Sequence, residues 1–215
     1  MKNIVIFGGH GNGAVVASNI EQINLLGKKK YNILGYINDG KEKKINSYKV
    51  LGGLRKKIVQ KYLKKKNTYF FWSLISSNLR LKSIKRLEEL EIPIERFATF
   101  IHPSSVISKD VKIGFGVNIS SFVNISPNVI IQNHVNVFSQ SMIGHDTKIC
   151  NYAYISNNAV IGAKIEVCEG VFIGMNSTIK ENLILKPWSR VGMGSVVLKN
   201  IKKNKTVVGN PAKTI

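Results

Sequence analysis

The residues best equipped for proton chemistry stand side by side, His145 and Asp146 in the run IGHD. A histidine titrates near neutrality and takes a proton from an amine or hydroxyl. A carboxylate on its other ring nitrogen fixes the tautomer and raises the basicity of the free one. A second constellation opens the chain, where the apolar residues 4–7 meet Gly8, Gly9, His10, Gly11, Asn12 and Gly13 before the helical stretch 14–20. Strand, glycine turn and helix begin many nucleotide-binding α/β units, because glycines let backbone N–H groups approach a phosphate and the helix N-terminus favours an anion. The spacing is not GxGxxG, so the turn equally fits a plain connection, and His10 equally fits an exposed loop residue. Asn38 and Asp39 follow a second strand at 33–37 and bring a carboxylate to where a sugar hydroxyl or base could meet it.

The element that must position His145 is announced by a period. Every sixth residue from Ile101 to Val197 is aliphatic, seventeen in succession. Four positions after each lies a second track of small or β-branched residues, including Val117, Val123, Ser141, Thr147 and Ala153. A period of six fits neither the 3.6 residues of a helix nor the alternation of a flat strand. It predicts a chain that turns a corner every six residues, with an aliphatic inside each corner and three hexads to a triangular coil. Buried Val and Ile at ~1.5–3 kcal/mol each make such a ladder worth tens of kcal/mol gross, largely offset by chain entropy. His145 falls at the third place of its hexad, where the side chain points outward.

Residues 1–98 read differently. The strands at 3–7, 33–37 and 68–72 and a lysine-rich amphipathic helix over 78–90 make a small α/β unit, and the helix charges read as a solvated face. The pattern changes near residue 98, which separates an α/β domain, 1–98, from a repeat domain with its tail, 99–215.

Composition limits the classes of function. The chain has 215 residues and 44% hydrophobic content, enough for packed cores. No segment approaches the ~18 apolar residues of a membrane span and the N-terminal apolar run is too short for a signal peptide, so the expected place is the cytoplasm without membrane insertion. The net charge is +20 and is shared by both halves. It either steers anionic ligands or reflects a lysine-rich composition, since only five of the 32 basic residues are Arg. Nucleic-acid readout is not expected. Cys150 and Cys168 have no metal-ligand spacing and read as packing thiols.

The hexads resemble the left-handed hexapeptide-repeat β-helix. Together with the glycine turn, GYINDG (35–40), IHPSSVIS (101–108), IGHD (143–146), VGMGSVV (191–197) and VGNPAK (208–213), they make nearly the whole chain similar to the bacterial acetyl-CoA-dependent sugar acetyltransferases. That family includes sialic acid O-acetyltransferases and nucleotide-aminosugar N-acetyltransferases. The resemblance implies a Rossmann-like α/β domain followed by a left-handed parallel β-helix, assembled as a homotrimer with acetyl-CoA between adjacent β-helices and no metal. It places the family's catalytic pair on His145 and Asp146, and acetyl-CoA contacts on Tyr154, Ala163, Met175 and Met193. The nucleotide sugar falls to Gly8, Gly9, His10, Gly11, Asn12, Gly13, Asn38, Asp39 and Ile75. Tyr154 stands where the family usually has a second His, and Ile75 where it has a glycine. Lysines among 180–213 are expected to meet the phosphates of Coenzyme A.

A hexapeptide β-helix can also be a zinc carbonic anhydrase, but His102, His134 and His145 lack that enzyme's close pair of ligands. His102 is expected to open the first coil and His134 to point outward. The implied activity is N-acetylation of a nucleotide-linked amino sugar, probed against O-acetylation of a sialic acid and against a non-catalytic scaffold or anion-binding module.

Overall fold

The computed structural model describes residues 1–27, 30–74 and 80–215, which fall into two compact units, Met1–Thr99 and Phe100–Ile215. In the first unit, β1 (Lys2–Phe7) has four consecutive buried residues and runs straight into the glycine turn. α1 (Asn12–Leu26) buries Gly13, Val16, Ala17, Ile20 and Ile23, a single stripe at helical spacing that packs on the sheet. β2 (Tyr31–Ile37) and β5 (Thr68–Trp72) flank β1 in parallel. A central strand covered on both sides must be apolar throughout, which is why residues 4–7 do not alternate. Phe7 stacks on Phe70 with ring centroids 5.6 Å apart and meets Trp72 at 5.1 Å.

Three elements of this unit go beyond the sequence reading. β3 (Lys44–Ile45) and β4 (Tyr48–Gly52) form an antiparallel hairpin, and α2 (Lys56–Leu63) follows. The hairpin was obscured because one of its strands has only two residues; its turn rests on Asn46 at φ 51°, the left-handed conformation that Asn tolerates and tight hairpins need. The sheet order is β3-β4-β2-β1-β5. α3 (Arg80–Glu88) follows β5.

The second unit is a left-handed parallel β-helix. Its repeated strands are two residues long and pair in parallel with those one coil away: Met142–Ile143 lies between Asn124–Ile125 and Val160–Ile161. The strands stack into three sheets, one for each side of the coil. The aliphatic track occupies the second place in each strand, inside a flat side; the corners are made by the residues that follow. This corrects the expectation of an aliphatic at each corner. Corner residues adopt positive φ, among them Asn128 (59°), His134 (57°) and Asp146 (57°), and inward residues such as Val117, Thr147 and Ala153 lead out of the corner.

From Ile119 to Val197 every member of the aliphatic track is at most 2% exposed, whereas Ile101 is 39% exposed. The difference follows from stacking: an inner residue is covered by coils on both sides, and the first coil is the end of the stack. After Val197 the frame shortens. Ile201 bridges Leu185, and Thr206–Val208 pairs with Arg190–Val191 before Lys213–Thr214 folds back antiparallel and covers the last sheet's edge.

Candidate active site

His145 and Asp146 form the corner between Met142–Ile143 and Lys148–Ile149. The corner is tight. A side-chain carbon on Gly144 would come within 2.6 Å of the Gly162 backbone on the next coil, so only glycine lets the two coils close here. The His145 carbonyl accepts from Lys164 N–H at 2.8 Å, and Asp146 N–H donates to Pro127 O at 3.1 Å. Thr147, buried beneath the corner, donates to Gly162 O and accepts from Ile165 N–H, each at 3.2 Å. The backbone carrying the pair is therefore tied to the coils on both sides.

His145 Nδ1 lies 2.6 Å from Asp146 Oδ2. An ionised carboxylate only accepts, so Nδ1 is the donor of this bond, and in the neutral ring the lone pair falls on Nε2. The side chains are 55% and 41% exposed, leaving the imidazole accessible to a reactant. The hydrogen bond from His145, followed by one from Asn128, holds the Asp146 carboxyl below the usual range. A neutral imidazole oriented in this way by a carboxylate is chemically able to accept a proton at Nε2.

The four residues assigned to the donor occupy different edges of the β-helix. Ala163 follows His145 by one coil on the same corner, beside the Lys164 N–H that bonds the His145 carbonyl. Tyr154 is half-buried on the eight-stranded side and stacks on Phe172 with ring centroids 5.1 Å apart. Met175 and Met193 are 44% and 70% exposed at the corner after Tyr154, tied across one coil by Gly194 N–H to Met175 O. One chain does not bring Tyr154, Met175 and Met193 to the corner that carries His145.

His134, expected as an outward side chain, is covered by its neighbour one coil on. It is buried, its ring parallel to that of Tyr152 with centroids 5.1 Å apart, and burial pushes its pKa down to about 4. His102 opens the first coil, with Nδ1 accepting from Ser104 N–H at 3.1 Å, and burial lowers its pKa. Among the described residues, no three His, Cys, Asp or Glu side chains gather as metal ligands. Cys168 is buried and Cys150 half-buried.

In the first unit, a cavity of about 550 Å³ opens at the C-terminal ends of β1 and β5, on opposite sides of which the chain connections diverge, the usual place for a ligand in an open parallel sheet. Gly9, His10, Gly11, Asn12 and Gly13 form one wall. Gly8 lies beneath them at φ 132°, where a side chain would strike the Ser73 hydroxyl. Asn38 and Asp39 both bond within the protein. Asn38 Nδ2 donates to Gly8 O at 3.1 Å and Asn38 Oδ1 accepts from Gly40 N–H at 2.5 Å. The Asp39 carboxylate accepts from Leu54 N–H at 2.7 Å and Arg86 Nη2 at 2.8 Å, and these contacts, Arg86 foremost, hold its pKa down. The carboxylate thereby fixes Arg86, which lines the cavity. Ile75 lies outside the described residues.

The sequence reading missed the other wall: Trp72, Ser73 and Leu74 at the end of β5, and Lys82, Ser83 and Arg86 on α3. The α3 charges are thus not all a solvated face. The signals were present, since residues just past a parallel strand border its ligand crevice and Lys82 and Arg86 share a helix face at a spacing of four.

Residues 3–87 match the family model of the PglD N-terminal domain. No curated protein matches the chain significantly. Among solved structures, the chain is similar to the acetyltransferase domain of PglB from Neisseria gonorrhoeae, with 20% identity, TM-score 0.86 and full coverage of both chains. It is similar to PerB from Caulobacter crescentus, solved with CoA and GDP-perosamine, with 19% identity, TM-score 0.84 and coverage of 100% of this chain and 98% of PerB. WeeI from Acinetobacter baumannii matches over 100% of both chains with 25% identity and TM-score 0.79. The chain shares the fold of these structures over its whole length, and its N-terminal part matches the PglD N-terminal domain.

Proposed function

We propose that the protein transfers the acetyl group of acetyl-CoA to the amine of a nucleotide-linked amino sugar, a 4-amino-4,6-dideoxyhexose, with His145 as general base. The observation that carries this reading is the 2.6 Å hydrogen bond between His145 Nδ1 and Asp146, which points Nε2 away from the carboxylate on an exposed corner. A sugar amine is largely protonated at neutral pH and must shed a proton before or during attack. In this reading the ammonium first loses one proton to solvent, and Nε2 takes a second from the nitrogen as its lone pair attacks the thioester carbonyl; the tetrahedral intermediate then collapses and the Coenzyme A thiolate leaves, taking that proton back from the imidazolium.

The cavity beside the glycine turn supports a nucleotide-linked acceptor over a free sugar, because its backbone N–H groups, Lys82 and Arg86 suit a diphosphate. The complex of PerB with CoA and GDP-perosamine supports the same pair of substrates. The separation of His145 and Ala163 from Met175 and Met193 around one β-helix supports a homotrimer, in which the edge of one subunit faces a different edge of its neighbour and acetyl-CoA lies between them. The reading places the enzyme in the cytoplasm, where acetyl-CoA and nucleotide sugars are made.

The test is Coenzyme A thiol release from acetyl-CoA in the presence of UDP-, GDP- and dTDP-linked amino sugars. Turnover is expected with at least one acceptor, and His145→Ala is expected to lower it ~10²–10⁴-fold while both substrates still bind. Undiminished turnover in His145→Ala overturns the mechanism; turnover confined to a free sialic acid replaces the reaction by O-acetylation.

A further inference from the structure

We propose that Asn128 is a positioning residue for the His145–Asp146 pair, its side-chain amide holding the Asp146 carboxylate in the orientation that serves Nδ1. The inference rests on the reading of His145 as the base. Asn128 stands eighteen residues before Asp146, one coil away on the same corner, and its Nδ2 donates to Asp146 Oδ1 at 3.1 Å. The other oxygen, Oδ2, faces the imidazole at 2.6 Å. Each carboxylate oxygen therefore has one protein donor, and rotation of the group that would turn it from the ring breaks both bonds. Asn128 is itself held from the coil before, its N–H donating to Asp110 Oδ2 at 2.5 Å.

The corner thus carries Asp110, Asn128 and Asp146 on three successive coils, and the series ends at the imidazole. Lys164, on the following coil, is the cation that acts on Asp146, and Asp110 lies beyond Asn128 on the other side. The amide at the middle place matters chemically. It supplies a donor to Asp146, and it separates two carboxylates that would otherwise be neighbours along the corner. A carboxylate at position 128 could do neither.

Asparagine also suits this place for a purely local reason, its φ of 59°, a conformation that asparagine and glycine accept. The two explanations separate with Asn128→Gly, which keeps the corner and the N–H to Asp110 and removes only the amide. Asn128→Asp keeps size and backbone preference and replaces the donor by a charge.

The experiment combines steady-state kinetics over a range of pH with ¹⁵N NMR of the His145 ring in the wild type, Asn128→Gly and Asn128→Asp. The ring proton is expected on Nδ1 in the wild type, with a mixture of tautomers in both variants. Asn128→Gly is expected to lower kcat roughly tenfold through misorientation, with KM for both substrates and the melting temperature unchanged. In Asn128→Asp the added carboxylate favours the imidazolium, so the acidic limb of kcat/KM moves to higher pH. Wild-type tautomer, kcat and pH profile in both variants overturn the proposal, as does a loss that follows melting temperature or KM alone. Disturbed tautomers alongside undiminished turnover in His145→Ala sink the base assignment and leave the positioning role standing, because the NMR arm does not depend on turnover.

Discussion

At the scale of single residues, two histidines on corners of one β-helix have opposite fates. His145 and its carboxylate sit on the surface, and Asp146→Asn should cost less than His145→Ala, since it alters orientation and basicity without removing the base; kcat/KM of the two variants checks the order. The lowered Asp146 pKa keeps the carboxylate ionised through the neutral range. His134 is buried against Tyr152 with its pKa pushed down to about 4. Burial opposes its charged form, so the folded state keeps it neutral while the unfolded chain takes up a proton below its ordinary value of 6.5. The stability tied to its neutrality is full above 6.5 and is lost as pH falls from there toward 4, to a limit of about 3 kcal/mol. Urea midpoints should fall less steeply across that window in His134→Asn, which keeps a side chain suited to positive φ. Equal slopes would show that His134 takes no part. The outward corner of His145 was legible from its place in the hexad. The burial of His134 was not, because it depends on Tyr152 one coil away, and the period says which residues stack without saying which rings lie flat on each other.

At the scale of elements, the repeat was legible because one rule, an aliphatic every sixth residue, is imposed seventeen times by the same coil. The same rule separates strong from weak positions. Ile143→Val, with no exposure in the native state, should cost ~1 kcal/mol, and Ile101→Val, 39% exposed at the end of the stack, much less. Urea denaturation decides between this and a uniform ladder. Ile143→Asp should unfold the central coils, a charge there being buried without a partner. The α/β unit was harder to read: β3 offers two residues to any pattern, and the role of α3 depends on a cavity that β5 and the glycine turn complete. That cavity makes its own prediction. Arg86→Ala should weaken UDP, GDP or dTDP binding roughly tenfold by calorimetry without changing kcat at saturation. Unchanged affinity would remove α3 from the site.

At the scale of the whole molecule, the two units divide the work proposed for them, acceptor recognition in one and base and donor in the other. Light scattering at micromolar concentration should give a trimer, and a monomer would contradict the shared donor groove. The net charge of +20 should make Coenzyme A binding weaken between low and physiological salt, since exposed lysines act as screened point charges; the lysines at 180, 186, 199, 202, 203, 205 and 213 are the candidates. The central claim is that His145 delivers an acetyl group to a sugar nitrogen. Its most direct test is mass spectrometry and NMR of the product formed from acetyl-CoA and a nucleotide-linked 4-amino sugar, run in parallel with wild type and His145→Ala. The account predicts one added acetyl group, found as an amide on the sugar nitrogen, from the wild type only; an ester on a sugar oxygen, or equal product from His145→Ala, would contradict it.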